Sequence, residues 1–324
     1  MKLKDNLKRF LLAWYGFYIY KNLLLHFRLW HGDNSSGSGA THSHLTVEES
    51  LSYIDGVFKD YKQYGSIRQF SGRVCEVGPG DNLGVAMRIL ADGADQVDCA
   101  DRFYTPRNPE HHASIYQAVC QNDAQLKTRF SGVNWSDETF PGLRRYYGRE
   151  AAVETFFDDK VSTYDFIVSR SVLEHVTDPL MALDKMFRAL KPGGKMIHKV
   201  DLRDHGTFSQ YFHELKFLEI PSWLYFLMTY DSGYPNRIMV DAYRDCALGL
   251  PGKSQILVTK LAYVKDVIPY SSLENIDSLM IKASLEQLEK VKHRFSRSLR
   301  QKHNKDLIVA GFFLILEKDS TLED

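Results

Sequence analysis

Cysteine is scarce in this sequence and never occurs as a closely spaced pair. The four cysteines stand far apart, at Cys75, Cys99, Cys120 and Cys246. A zinc site built on a CxxC pair and a disulfide-rich scaffold are therefore both excluded. Cys75 and Cys99 fall in apolar runs typical of buried strands, and free buried thiols are typical of a reducing compartment. Because the sequence also lacks a recognisable secretory signal, we predict a cytoplasmic protein.

An excess of either charge is missing as well. Forty-one lysine and arginine residues balance forty-one aspartate and glutamate residues. Without a net positive field, the protein has no general attraction for a nucleic-acid backbone, and we predict no nucleic-acid partner. A composition of 44% hydrophobic and 25% charged residues excludes disordered and collagen-like classes. A chain of 324 residues is long enough to bury a full core.

The first 32 residues lack an apolar run that could span a membrane. Their uncharged run over residues 10–20 has eleven residues, whereas a spanning helix needs about 20. One interpretation is an interfacial helix with aromatic residues among the lipid headgroups and basic residues facing anionic lipid. These residues are Trp14, Tyr15, Tyr18 and Trp30, with Lys2, Lys4, Lys8 and Arg9. The alternative, a helix that packs on the domain or mediates dimerisation, remains equally open.

A polar linker follows this segment. Residues 33–39 are rich in serine and glycine and contain no side chain that could form a core. We therefore predict a basic, apolar N-terminal segment with its linker over residues 1–44 and a folded domain over residues 45–324. Thr46 and Glu49 have the spacing of a capping box, which predicts that the domain begins with a helix.

From residue 73 onward, predicted strands and helices alternate. Strands are indicated at residues 73–77, 96–101, 165–169 and 195–201. This alternation predicts an α/β fold with a doubly wound, mostly parallel sheet. Two further strands, predicted at 255–261 and 307–317, suit an antiparallel pair at one edge. The aromatic-rich stretch that starts near residue 206 and extends to about residue 250 is predicted to be a helical cap over the site.

A strand that runs into a glycine turn gives the strongest functional signal. Glycines in such a turn allow close approach of a ligand to the backbone, and the following helix offers free NH groups. Leu83 occupies a position where a dinucleotide fingerprint requires a small residue. Glu76 can pair with a ligand's ammonium group, and Asp101 can accept hydrogen bonds from both hydroxyls of a ribose. An amino-acid nucleoside satisfies both acids.

These segments resemble the class I S-adenosylmethionine-dependent methyltransferases. Residues 76–80 resemble the first motif of that family, residues 164–176 its fourth strand and following turn, and residues 190–195 the approach to its fifth strand. The resemblance implies a seven-stranded Rossmann-like sheet and S-adenosylmethionine as cofactor. The cofactor-binding residues that it implies are Glu76, Gly78, Pro79, Gly80, Asp101, Arg102, Val153, Ser169 and Arg170.

Methyl transfer requires alignment of the acceptor and removal of its proton. The predicted catalytic residues are His175, Asp201 and His205, because the carboxyl ends of parallel strands face the cofactor mouth. Magnesium-dependent methyltransferases of ubiquinone synthesis and of small-RNA ends resemble this chain at Glu174 and His175. Their pattern has another acid where this chain has Ser171, so metal binding is left unassigned.

The sequence therefore predicts a methyltransferase that acts on a small-molecule or glycan acceptor, with oxygen as the preferred atom. Residues 198–205 and the final strand look like bacterial methyltransferases of sugar and polysaccharide assembly. Peripheral membrane contact through the N-terminal segment is a further expectation. Two other functions remain: a membrane-associated regulatory protein that binds the cofactor without catalysis, and a nicotinamide-dependent oxidoreductase.

Overall fold

A computed structural model of the protein describes residues 11–37, 39–121, 123–137 and 139–321. The strands are β1 (Gly72–Val77), β2 (Ala94–Asp101), β3 (Leu143–Tyr147), β4 (Tyr164–Arg170), β5 (Leu190–Asp201), β6 (Gly252–Leu261), β7 (Asp266–Ser271) and β8 (Val309–Lys318). The helices are α1 (Leu11–Trp30), α2 (Val47–Tyr64), α3 (Gly84–Asp92), α4 (Pro109–Gln121), α5 (Ala124–Arg129), α6 (Val153–Phe156), α7 (Pro179–Ala189), α8 (Ser222–Thr229), α9 (Val240–Leu248), α10 (Ser278–Lys292), α11 (Arg297–Arg300) and α12 (Asn304–Leu307).

One sheet contains all of these strands, in the order β3-β2-β1-β4-β5-β8-β6-β7. Strands β1 to β5 are parallel, and the sequence-predicted strands at 73–77, 96–101, 165–169 and 195–201 each lie within one of them. The order reverses where β4 pairs with β1. In open parallel sheets, ligands bind outside the carboxyl ends of the strands at such a reversal. The fold therefore places the predicted site beyond β1 and β4.

The part of the sheet beyond β5 is antiparallel. Strand β8 lies between β5 and β6 and is antiparallel to both, which confirms the predicted late pair. The predicted α/β fold is confirmed, but the described sheet has eight strands instead of seven. The additional strand is β7, in which Val267 is the one buried residue. Its mostly exposed side chains leave no apolar alternation in the sequence from which a strand could be predicted.

Local capping signals explain two of the helix boundaries. The capping box of Thr46 and Glu49 is present at the start of α2. Asp178 caps α7, in which Pro179 holds the first position, where a missing NH costs nothing. Helix α7 ends at Ala189, and β5 continues directly from it. These boundaries follow from hydrogen bonds between residues close in sequence, which is why they could be predicted.

The sheet is covered by apolar clusters on both faces. Neighbouring strand residues alternate between the two clusters, as shown by Val74 against Cys75 and by Ile167 against Val168. Successive side chains of a strand point to opposite faces, so each cluster belongs to one face. Buried on both sides, the central strands hold the site rigidly at their carboxyl ends.

Helix α1 packs on the cap through its aromatic residues. Trp14 and Tyr18 are buried, and Trp14 Nε1 donates to Thr207 O at 2.8 Å. The expectation that these two side chains face lipid is therefore wrong, because they contact the cap instead. Of the helices described, none combines the length and the hydropathy required to traverse a bilayer.

Candidate cofactor and acceptor site

A cavity of about 520 Å³ opens beyond the carboxyl ends of β1, β2 and β4. Ten of the predicted site residues line it: Gly78, Pro79, Gly80, Asp101, Arg102, Val153, Arg170, His175, Asp201 and His205. The structure thus brings the predicted cofactor side and the predicted acceptor side into one space. Val153, which the family resemblance implies as a cofactor contact, lies in the short helix α6. Strand β3 ends before it, at Tyr147.

The glycine turn forms the floor of this cavity. Gly78 and Gly80 have φ angles of +69° and +66°, a conformation that L side chains rarely adopt. A Cβ atom at Gly78 would lie 2.3 Å from Val172 Cγ2, and one at Gly80 would lie 2.7 Å from Gly39 O. Only glycine fits at both positions, because Val172 and Gly39 occupy the space that a Cβ atom would need.

A segment of the predicted linker crosses this turn. We call residues 36–43 the strap, of which Ser38 lies outside the described residues. Asp81 fixes the strap, because its carboxylate accepts the backbone NH of His42 at 3.2 Å and that of Ser43 at 2.7 Å. Ser36, Gly39, Thr41 and His42 line the cavity. Sequence reasoning missed these residues, since a serine- and glycine-rich stretch carries no apolar pattern to indicate contact with the domain.

Asp101 lies at the end of β2, where its carboxylate meets the cavity. Burial raises its pKa to about 6, although hydrogen bonds from the backbone NH groups of Phe103 and Gly80 favour the charged form. A carboxylate at this place can accept two ribose hydroxyls. The next residue, Arg102, forms an ion pair with Asp231 of the cap, so the end of β2 is tied to the cap.

Two predicted cofactor residues lie behind the cavity wall. Glu76 is buried, and burial raises its pKa to about 8, while a hydrogen bond from the Ala86 backbone in the first turn of α3 acts in the opposite direction. Ser169 Oγ lies 2.7 Å from His198 Nδ1, also in the interior. Neither residue is among those that line the cavity. Direct contact of Glu76 with the cofactor's ammonium group stays a prediction.

Arg170 lines the cavity, but its guanidinium group is engaged elsewhere. Its Nη1 donates to Asp60 Oδ2 of α2 at 2.8 Å, and the group stacks over Tyr53. This ion pair joins the end of β4 to α2. We therefore expect Arg170 to shape the cavity wall without contributing its charge to a ligand.

The three predicted catalytic residues meet around a buried acid that sequence reasoning did not assign to catalysis. The rings of His175 and His205 have centroids 4.9 Å apart. Glu174 Oε1 accepts the backbone NH of Asp201 at 3.2 Å and lies 3.8 Å from His205 Nε2. Asp201 itself forms an ion pair with Arg203 at 2.6 Å. His175, His205 and Asp201 therefore share one wall of the cavity, while Glu174 and Arg203 contact them from outside the lining.

Burial controls the protonation of this wall. Burial raises the pKa of Glu174 well above its usual range, with the nearby charge of Asp201 acting in the same direction. Burial lowers the pKa of His175 to about 4, assisted by His205. His175 is accordingly neutral at pH 7, but the same burial opposes its protonation, so proton transfer to it requires the nearby negative charge of Asp201, which raises its pKa. Backbone strain also concentrates here, since Ser171 and His205 have φ angles of +53° and +50°.

The same wall could bind a divalent cation. Glu174, His175 and His205 can each offer one ligand atom, and these atoms lie within 4.8 Å of one another. Within the described part of the chain, Glu174 Oε2 and His175 Nδ1 are buried and have no hydrogen-bond partner. One carboxylate and two imidazoles suit a divalent transition metal better than magnesium, which prefers oxygen ligands.

The aromatic residues of the cap mostly form its own core. Tyr225 is buried and donates from its hydroxyl to Pro235 O at 2.6 Å. Tyr234 packs edge-on against Tyr18, with ring centroids 5.0 Å apart. Trp223 remains exposed, on the outside of α8. None of these three lines the described cavity, so stacking on a sugar ring finds no support in their positions.

Comparison with known proteins identifies the family. A family model described as a methyltransferase domain matches residues 53–234, which is more than half of the chain. A search of the curated proteins found no match. Strand β1, the glycine turn, Asp101 and the acceptor wall all fall within the matched range.

Solved structures with a similar arrangement share little sequence with this chain. One is Haemonchus contortus phosphoethanolamine N-methyltransferase 2 in complex with S-adenosyl-L-methionine, with 15% identity, 82% of this chain and 52% of that chain covered, and a TM-score of 0.42. Another is the Bacillus subtilis YcgJ protein, with 11% identity, 83% and 99% covered, and a TM-score of 0.40. The chain spans about half the length of the first of these relatives.

Because these TM-scores are low, the assignment rests on the family model and on the motifs described above. The glycine floor that excludes a Cβ atom and the carboxylate of Asp101 both suit an amino-acid nucleoside. The chain belongs to the methyltransferase-domain family and is a class I methyltransferase that uses S-adenosylmethionine.

Proposed function

We propose that this enzyme transfers the methyl group to an oxygen atom of a small-molecule or glycan acceptor. The observation that supports this proposal is the position of His175, Asp201 and His205, which line the same cavity as the glycine turn and Asp101. A donor held on the glycine floor and an acceptor held at the opposite wall would share this one space. Alignment of the two reactants is the largest requirement of methyl transfer.

The residues of the acceptor wall suit a hydroxyl group. S-adenosylmethionine, held by the glycine turn and Asp101, would supply an electrophilic methyl group for a hydroxyl oxygen, with its sulfur as the leaving group. A ring nitrogen of His175, neutral at pH 7, accepts the hydroxyl proton. The negative charge of Asp201 stabilises the resulting imidazolium. His205 lines the cavity and is placed to orient polar groups of the acceptor.

The first test of this mechanism is substitution of His175. We expect His175→Ala to lower kcat about 10²-fold or more, because general bases contribute factors of this size. Binding of S-adenosylhomocysteine should stay within about threefold, since Asp101 and the glycine floor are unchanged. The matched control is His293→Ala, at an exposed histidine that does not line the cavity. Labelled cofactor and a panel of hydroxylated acceptors give the turnover, and full activity of His175→Ala would contradict a base at this position.

Chelation separates the base from a metal ligand. If His175 acts as a base, prolonged treatment with a chelator leaves kcat unchanged. If the wall of Glu174, His175 and His205 works through a cation, activity disappears and returns when a divalent transition metal is added. We expect the first outcome, because a bound cation would occupy the lone pairs that the proton transfer requires.

A regulatory protein that binds the cofactor without catalysis is the alternative from another class. It would keep S-adenosylhomocysteine binding while the triple exchange of His175, Asp201 and His205 to Ala left its cellular role intact. The family assignment weighs against the nicotinamide-dependent oxidoreductase. Stabilisation by a nicotinamide dinucleotide and not by S-adenosylhomocysteine in a thermal-shift titration would restore that alternative.

We further propose that the enzyme works in the cytoplasm, with peripheral membrane contact through its N-terminal segment and no nucleic-acid partner. The four cysteines form no disulfide bond, and three of them are buried, which suits a reducing compartment. We also propose a division into a segment over residues 1–44 and a domain over residues 45–324, because the polar linker separates the two in sequence. The strap nevertheless contacts the domain closely, so deletion of residues 1–44 should impair cofactor binding.

A further inference from the structure

Two helices present a shared apolar surface beside the cavity. Helices α1 and α8 run parallel, since Asn22 Nδ2 donates to Leu227 O at 3.1 Å and His26 Nε2 lies 3.0 Å from Tyr230 O. Their outward side chains are apolar or aromatic, and we call them the outer face. The outer face consists of Leu12, Tyr20, Leu23, Leu24, Phe27, Trp30, Trp223, Phe226, Leu227 and Tyr230.

The outer face is too exposed to be part of the core. Leu12 and Trp30 are 83% and 81% exposed, and Trp223 on the neighbouring helix is 67% exposed. The opposite side of α1 is occupied by Trp14 and Tyr18, which pack on the cap. A one-sided helix of this kind lies flat on a surface instead of crossing it. Contiguous exposed apolar surface marks a contact site.

Charge distinguishes a bilayer from a second copy of the chain as the occupant. Neither α1 nor α8 contains an acidic residue, and α1 carries Lys21 and Arg28. In sequence, the ten residues before α1 add four basic residues against one aspartate. Arg28 is paired with Asp33 at 2.7 Å, so the excess positive charge comes from Lys21 and from the basic residues before the helix. A two-fold dimer over this face would bring these like charges together. Anionic lipid supplies the missing negative charge, and the mixture of Trp and Tyr with Leu and Phe suits the headgroup boundary.

The outer face adjoins the mouth of the cavity. Helix α1 ends at Trp30, and the chain reaches the cavity lining at Ser36. Helix α8 ends at Thr229, and Ser232 and Gly233 follow in the lining. Because the helices are parallel, both lead to the same rim. A bilayer bound to the outer face would therefore lie against the entrance of the acceptor site.

We propose that the outer face docks on an anionic bilayer and that the acceptor is an amphiphile, with a hydroxylated headgroup in the cavity and an apolar tail in the bilayer. This inference rests on the proposed methyl transfer to oxygen. Bilayer docking also accounts for the aromatic residues of the cap, which are exposed on the outer face or buried in the cap core and do not line the cavity. The bilayer would hold the apolar tail of the acceptor, so the cavity has to bind the headgroup alone.

Vesicle flotation tests the docking surface with the full chain. Wild type should float with phosphatidylglycerol vesicles and remain below phosphatidylcholine vesicles. The variant Leu23→Glu/Phe226→Glu should partition about tenfold more weakly, because it places two negative charges at an anionic surface. The matched control, Leu248→Glu/Leu279→Glu, changes two leucines that are each 71% exposed away from the outer face, and it should float as wild type does.

The affinity for S-adenosylhomocysteine is measured on wild type, the outer-face variant and the control variant, and it should be the same in all three. If wild type does not float with phosphatidylglycerol, or if it is a dimer that the outer-face variant dissociates, bilayer docking is overturned. Intact cofactor binding and methyl transfer in that case would leave the proposed function in place. Absent cofactor binding in wild type would instead remove the proposed function itself.

A separate labelling experiment tests the class of acceptor. With labelled cofactor and membranes of the source cells, the label should enter the chloroform–methanol extract. The outer-face variant should lose at least about tenfold of this labelling and recover it when the same membranes are dissolved in detergent, because free diffusion replaces docking. Label confined to the water-soluble fraction would overturn an amphiphilic acceptor. A variant that stays inactive in detergent would likewise contradict docking as the cause.

Discussion

Gly78 has no room for any other side chain. Both a φ of +69° and a contact of 2.3 Å with Val172 Cγ2 oppose a Cβ atom there. We expect Gly78→Ala to destabilise the fold by about 2–4 kcal/mol, as the sum of backbone strain and overpacking. It should also abolish S-adenosylhomocysteine binding. Urea unfolding and calorimetric titration measure the two effects.

Gly132 offers the matched control for this substitution. Its φ is +76°, and no atom lies within 4 Å of a Cβ atom placed there. Gly132→Ala should therefore show the backbone strain alone, about 1–2 kcal/mol, with cofactor binding intact. Equal losses in the two variants would mean that the contact with Val172 is relieved by a small shift.

Asp101 makes cofactor binding depend on pH. Its carboxyl group has a pKa of about 6 in the free protein, whereas the ionised form is the one that accepts ribose hydroxyls. Binding therefore favours loss of a proton, and affinity for S-adenosylhomocysteine should rise from pH 5 to pH 7 and then level off. Calorimetry in buffers of different ionisation enthalpy should detect proton release near pH 6. Asp101→Asn should bind more weakly and lose this pH dependence.

Among the elements, the strap receives its charged hydrogen-bond acceptor from Asp81. Asp81 accepts hydrogen bonds from His42, from the Ser43 backbone and from Ser43 Oγ. We expect Asp81→Asn to weaken S-adenosylhomocysteine binding about tenfold, since charge-assisted hydrogen bonds of this kind contribute about 1.5–3 kcal/mol. Limited proteolysis should then cut the strap faster. Asp266→Asn, at an exposed carboxylate paired with Lys260, should change neither measurement.

The elements also show what a sequence can predict. Strands β1 and β4 and the cap at Thr46 were predicted correctly, because periodicity and capping are encoded by residues a few positions apart. The strap and β7 were missed, since their positions depend on contacts with residues distant in sequence. Glu174 was missed as a member of the catalytic wall for the same reason: its burial among Asp201 and His205 follows from the tertiary fold.

At the scale of the whole molecule, several of the residues that line the cavity were predicted from their position at the ends of the strands. Asp101, His175 and Asp201 follow three different strands, and the reversal of strand order brings them into one cavity. Glu76 is buried on the strand before the turn and does not line the cavity, so its contact with the cofactor's ammonium group stays a prediction. The outer face could not be predicted either, because Trp14 and Trp30 look alike in sequence and differ only in what the cap covers.

The place of β8 in the sheet has a consequence for biosynthesis. This strand, at residues 309–318, completes the edge of β5 and the edge of β6, yet it leaves the ribosome after every other described strand. Until then, two half-sheets carry unpaired apolar edges, which are templates for wrong pairing between nascent chains. The growing polypeptide therefore keeps the edges of β5 and β6 unpaired until β8 is synthesised, which favours binding of chaperones that shield nascent chains.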